Sequence, residues 1–205
     1  TAYARDAVYR NDHHGDVATP LSGAGMRAIS IPSPANGELR LVYAGDGLKV
    51  EMLRVAHAPI DPAVAYLFSY KGRTILISGD TNKSKNLQKF AHNVDLLVHE
   101  ALAPKLLIAM ENAALATNDA SRAKIFGDVL DYHTSPTEAA EIARDANVGH
   151  LLYYHVVPPL PAPGLEALWL KGVDDIFTEY TLGRDGTSIS LPADSESIVH
   201  RGSDF

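Results

Sequence analysis

From about Leu39 onward, apolar residues fall in short runs broken by glycine, proline and charged residues, the pattern of strands alternating with helices. Leu39–Ala44 and Leu48–Val55 predict two strands around the turn signal Asp46-Gly47. Val64–Tyr70 and Thr74–Ser78 predict a hairpin of two buried strands, turning at Lys71-Gly72-Arg73. Asp95–Val98 and Leu151–Tyr154 predict further buried strands, and a last hairpin is predicted over Ile176–Leu191, turning at Arg184-Asp185-Gly186. Helical spacing covers Ser84–Ala91, Lys105–Ala116, Ser121–Val129 and a short stretch at Leu165–Leu170. Ser135-Pro136-Thr137-Glu138 reads as a helix start: Ser135 can cap, Pro136 suits the first helical position and Glu138 completes a capping box, with the helix running to about Asn147. At the front, Ala2–Arg10 has helical spacing and stops near Asn11-Asp12-His13-His14-Gly15, before a Gly-, Pro- and Ser-rich loop to about Gly37. Strands alternating with helices imply stacked α and β layers.

The chain has 205 residues, enough for one domain with a sizeable core, and we read 1–205 as a single domain. Thr1–Ala7 reads as the middle of a helix without an initiator Met, so further sequence upstream is expected. There is no cysteine, which rules out disulfides and thiolate metal sites and leaves histidine, carboxylate and water as metal ligands. The same absence fits a cytoplasmic and a periplasmic protein alike. No apolar run approaches the ~20 residues of a membrane helix, so no membrane partner is expected. A net charge of −7 disfavours nucleic acid as a partner, although a local basic patch is compatible with it.

The chemistry-bearing residues sit where predicted strands end. Asp80, His99-Glu100 and His155 each follow directly on an apolar run, and His57 follows the Leu48–Val55 strand. In layered α/β folds sites gather at strand ends, where a rigid scaffold delivers side chains from loops. Histidine and aspartate are what zinc takes when cysteine is absent. An aspartate can bridge two metals, one per carboxylate oxygen, and two close metals can polarise an ester and lower the pKa of a shared water.

These segments carry a resemblance. Ile77-Ser78-Gly79-Asp80-Thr81 resembles the SGDT motif of metallo-β-lactamase-fold hydrolases, and Asp95–Ala101, reading DLLVHEA, resembles the HEAT loop of the ribonuclease Z group. Tyr132-His133-Thr134-Ser135 with the following Glu138–Ala143 resembles that group's HST segment and its helix. Leu151–His155 resembles the last metal-ligand strand, and Val55-Ala56-His57 the third ligand motif. The likeness runs from about Leu48 to Leu191. It implies an α/β fold, a metallo-β-lactamase-type αββα sandwich incomplete at its N-terminal side. It implies a metal-dependent hydrolase in which His57 binds a first zinc, His155 a second and Asp80 both. Glu100 would orient His133, which would protonate the leaving oxygen, a task suited to a group that titrates near neutrality. The cofactor so implied is a pair of zinc ions, with iron or manganese as chemically admissible occupants of a His/Asp site.

The chain also departs from the family pattern. The HxHxDH motif, which supplies two ligands to each zinc, does not occur in it. Asp12-His13-His14-Gly15-Asp16 has the residue types without the spacing, and the histidines there read as loop residues. The threonine of HEAT is Leu102, and HST is reordered to His133-Thr134-Ser135. Between His57 and Asp80 the sequence has room for a bare hairpin only, with no place for the long basic arm of transfer-RNA-processing members. The expected substrate is therefore a small-molecule phosphodiester, sulfate or related ester. A ribonuclease Z-like endonuclease acting at the 3′ side of transfer RNA is the alternative, and a catalytically incomplete binding module a further one. Apolar surface left by a partial domain would favour a homodimer or domain swap.

Overall fold

The computed structural model describes residues 2–20 and 29–201, with side chains described for 5–20 and 29–200. The chain divides into two compact units, Thr1–Pro32 and Ser33–Phe205. In the first, α1 (Ala2–Ala18) runs past the expected stop, but Gly15 breaks it with φ 78° and ψ 164°. The stop signal is thus a kink after which one more turn forms.

The second unit is built on one seven-stranded mixed sheet in simple sequence order. Its strands are β1 (Arg40–Gly45), β2 (Leu48–His57), β3 (Ile60–Tyr70), β4 (Arg73–Ile77), β5 (Leu96–Leu102), β6 (His150–Val157) and β7 (Tyr180–Leu182). The first four pair antiparallel and the last four parallel. Strands β2, β4, β5 and β6 therefore all point the same way, and their C-terminal ends meet at one end of the sheet. Helices α2 (Lys85–Phe90) and α5 (Pro136–Asp145) cover one face, burying Leu53, Ala65, Leu76, Leu97, Leu151 and Tyr153. The α5 face is alanine-rich, with Ala139, Ala140, Ile142 and Ala143 buried, which lets the helix lie close against the strands. Its start is the expected capping box at Ser135, and the Tyr153 hydroxyl donates to the Pro136 carbonyl at 2.7 Å. Helices α3 (Pro104–Ala116) and α4 (Ala120–Asp128) form a hairpin between β5 and α5, closed by a 3-10 turn at Val129–Asp131. A short α6 (Leu165–Trp169) follows β6.

The architecture is the expected mixed α/β type with a large sheet, and the second large sheet of an αββα sandwich is not among the described residues. On the other face of the sheet Tyr66 is 36% exposed, and its neighbours Ile77, Val98 and Leu152 are only half-buried. The expected final hairpin is corrected. Tyr180–Leu182 joins the main sheet parallel to β6, whereas β8 (Ser188–Ser190) pairs with β9 (Val199–Arg201). The Arg184-Asp185-Gly186 turn separates two sheets rather than closing one ladder. Local turn signals cannot tell these apart, because the parallel partner of β7 lies far back in the sequence.

Candidate functional site

His57, Asp80, Glu100, His133 and His155 gather toward the shared C-terminal ends of β2, β4, β5 and β6. Two strand irregularities aim them. Where β2 ends, its pairing with β3 slips between Val55 and His57: β3 carries the extra residue, Asp61-Pro62 standing opposite Ala56 alone, and His57 ends β2. On β6 the ladder passes from Tyr154 directly to Val156, leaving His155 as an extra residue with φ 45°. A bulge re-aims a side chain, and a left-handed φ at a non-glycine residue costs roughly 1–2 kcal/mol. His155 therefore stands out of the sheet plane, exposed, where a regular strand would keep it in the ladder.

The loop after β4 turns sharply at Gly79, with φ 61°. A Cβ there would sit 2.5 Å from the Val64 carbonyl oxygen, so no larger residue fits. This turn sets Asp80 opposite His155, with Oδ1 3.2 Å from Nδ1. Asp80, His133 and His155 each offer one ligand atom, all within 4.8 Å of one another. The His133 ring centroid is 5.6 Å from that of His155 and 5.3 Å from that of His57. The His57 Nδ1 lies 2.8 Å from the Tyr132 carbonyl. A carbonyl only accepts, so Nδ1 carries the proton and Nε2 keeps its lone pair, the tautomer that suits a metal ligand.

These residues fit zinc. Two ligand atoms on a tetrahedral zinc with bonds of about 2.0–2.1 Å stand roughly 3.3 Å apart. The 3.2 Å between Asp80 and His155 matches that spacing. The donor set of histidine nitrogen and carboxylate oxygen is equally suitable.

A fully buried carboxylate holds this end of the sheet together. Oε1 of Glu100 accepts from the backbone N–H of Thr81 at 3.0 Å and of Thr134 at 3.2 Å. Its Oε2 is 3.1 Å from His133 Nδ1. That distance suits a charge-assisted contact, yet its angle is poor for a hydrogen bond, and neither atom has another partner. We take the contact as an ion-pair-type alignment. Burial alone would lower the His133 pKa, but the Glu100 carboxylate, helped by Asp80, outweighs it and the net shift is upward. Thr81 and Thr134, both fully buried, complete the clamp. The Thr81 hydroxyl meets both backbone groups of Ala56, and Thr134 Oγ1 donates to the Thr81 carbonyl at 2.6 Å. Sequence reading did not single out these threonines. Their visible signal was membership of the SGDT-like and HST-like segments, beside Asp80 and His133.

Tyr154 is half-buried beside the cluster, and its phenol pKa is pushed up by burial and then by Asp80 and Glu100. Tyr153 is a core residue, as expected. His99 faces away from the cluster on the core side, beside Tyr153. Burial lowers its pKa, and its Nδ1 lies 2.6 Å from the Glu100 carbonyl.

No family model matches the chain. Among curated proteins, it is 30% identical over 168 residues to ribonuclease Z of Mycobacterium sp. (strain KMS), covering 82% of this chain and 52% of that protein. It is 29% identical over 168 residues to ribonuclease Z of Mycolicibacterium gilvum (strain PYR-GCK), covering 82% and 51%. The chain thus spans about half the length of the curated relatives it matches. Among solved structures it is similar to the metallo-β-lactamase fold protein YhfI from Bacillus subtilis, with 21% identity, a TM-score of 0.47, and coverage of 69% of this chain and 48% of that one. The short form of human tRNase Z gives 22% identity, a TM-score of 0.43, and coverage of 60% and 41%.

Proposed function

Since this chain is a relative of the ribonuclease Z branch of the metallo-β-lactamase-fold hydrolases, we propose that the intact protein hydrolyses a phosphodiester at a dinuclear zinc centre. The observation that carries this reading is the convergence of Asp80, His133 and His155 within 4.8 Å at the end of parallel strands. Asp80 and His155 would hold metal, Asp80 being the residue able to serve two ions, and His57 would offer its Nε2. Zinc, when bound, polarises the ester and makes water a better nucleophile at neutral pH. His133 then carries a proton at Nε2 to the leaving oxygen, and Glu100 fixes the ring and stabilises its charged form. Asp80, Glu100 and His133 are the catalytic group in this account.

Two substrate readings share this chemistry. A small phosphodiester or sulfate ester is supported by the bare β3–β4 hairpin, whose strands are joined by Lys71-Gly72 alone. A ribonuclease Z-like endonuclease is supported by the names of the curated relatives. The test is metal content by elemental mass spectrometry, followed by hydrolysis of bis(4-nitrophenyl) phosphate, a 4-nitrophenyl sulfate and a 3′-extended transfer RNA. About two zinc ions per chain and hydrolysis of a phosphodiester are expected. A metal-loaded intact protein that cleaves none of the three would sink the proposal.

A further inference from the structure

The chain carries seven more negative than positive charges, yet the only charged side chains lining one cavity are basic. It measures about 560 Å³ and lies between β2 and α2. Arg54, Lys83, Lys85 and Lys89 line it, four of the chain's 18 lysines and arginines, and no carboxylate does. Arg54 and Lys83 are paired outside the lining, with Asp61 and Glu141. Among the described residues no carboxylate lies within ion-pair distance of Lys85 or Lys89, although Lys89 Nζ donates to the Gly37 carbonyl at 2.9 Å. The amide of Asn86 is already spent on Gly37 and Arg54 backbone groups, which fixes the cavity wall.

Two of the lining residues lie close along the chain to the proposed cluster. Arg54 precedes His57 by three residues on β2, and Lys83 follows Asp80 by three in the next loop, no more than about 10 Å along an extended backbone. The two segments are tied where the Asn82 N–H donates to the Ala56 carbonyl at 2.7 Å. On the far side of His57 a second cavity is lined by Asp128, Asp131 and Tyr132, with no cation in its wall. The site is thus electrically polar, positive toward α2 and negative toward α4.

We propose that the basic cavity is a subsite for a second phosphate of the substrate, set off from the scissile ester. It deepens the phosphodiesterase reading and rests on it. A second phosphate has two sources, the next linkage of a nucleic-acid strand or a terminal phosphate on a small diester. The polarity of the site directs either one toward α2.

The test is equilibrium binding of a fluorescent single-stranded RNA 12-mer and of a nucleoside 3′,5′-bisphosphate, over a series of salt concentrations. The variants are Lys85→Glu/Lys89→Glu and, as a control of equal charge change, Lys105→Glu/Lys171→Glu. The first pair should weaken binding by at least about tenfold and make the logarithmic salt slope for RNA shallower by about 1.4, for two lost contacts of a single strand. The control should stay within about twofold. Circular dichroism checks that both variants fold. RNA binding that depends on the pocket identifies a strand as the source, and bisphosphate binding alone identifies a small molecule. Equal losses in both variants, or no binding of either probe, overturn the subsite. Those failures differ from failure of the parent reading, which is absence of hydrolysis with binding intact.

Discussion

Replacing Glu100 separates the structural role of this carboxylate from its chemical one. In Glu100→Ala two buried N–H groups, those of Thr81 and Thr134, lose their acceptor. Each orphaned buried donor costs about 1–3 kcal/mol, so the clamp is worth roughly 2–5 kcal/mol once relief of the buried charge is set against it. Glu100→Gln keeps a carbonyl oxygen for both donors and should cost only about 1 kcal/mol. It places an amide N–H₂ against His133 Nδ1 and removes the charge that raises that histidine's pKa. The pH dependence follows from the sign of that shift. A histidine with a raised folded pKa adds stability below its unfolded value near 6.5, and loses it as pH rises through the folded value. Glu100→Gln should therefore remove a component of stability present at pH 5.5 and absent at pH 8.5. Urea unfolding of the metal-free protein, followed by fluorescence of the buried Trp169, measures both effects. If Glu100→Ala unfolds at the same urea concentration as the unsubstituted protein, the carboxylate does not hold the site together and the argument fails.

Gly79→Ala should cost well over 2 kcal/mol, because it combines a left-handed φ with a 2.5 Å clash on backbone; a melting temperature within two or three degrees of the parent would contradict this. His155→Gly should hold or gain stability by about 0–1 kcal/mol while losing zinc, since it relaxes the φ of 45°; loss of stability in the metal-free state would show that the bulge is unstrained. Asp80→Asn should lower zinc retention more than His57→Ala does, if Asp80 bridges; equal retention on elemental analysis would remove the bridging role. The buried His150 has its pKa lowered to about 4 by burial and then by His200. The neutral ring is favoured in the fold, so stability is full above about pH 6.5 and declines as pH falls toward 4. The loss is about 1–2 kcal/mol after allowance for solvent around His200, and it should vanish in His150→Gln.

The strands were legible as apolar runs, Leu96–Val98 and Leu151–Tyr154 among them. Their ends were not, since β5 runs on through His99 and Glu100 to Leu102 and β6 through His155 to Val157. Nor did the sequence disclose how side chains turn at those ends. Nothing in the letters says that His155 is the bulged residue, since a bulge depends on the register with β5. The motifs pair His133 with Glu100 beside the metal ligands, but they do not say how closely its ring stands to Asp80, His155 and His57. That grouping depends on how the segment after α4 returns to the sheet. The basic cavity was equally hidden, for Arg54 and Lys85 are thirty-one positions apart and the chain as a whole is acidic.

The α3–α4 hairpin leaves the sheet and returns to almost the same place. Ala103 is bonded to Val157 at its departure, and Leu102 donates to the Thr134 carbonyl at its return, each at 2.8 Å. An excursion whose two roots are pinned side by side can change length without moving either root, and each doubling of a loop adds only about 0.6 kcal/mol of closure entropy. Its surface carries exposed Ile108, Leu115 and Ile125, while its base delivers Asp128 and Asp131 to the rim of the site. The hairpin is thus a replaceable cassette. Its length and surface can change, and with them one side of the site, while Glu100 keeps Thr81 and Thr134 in register.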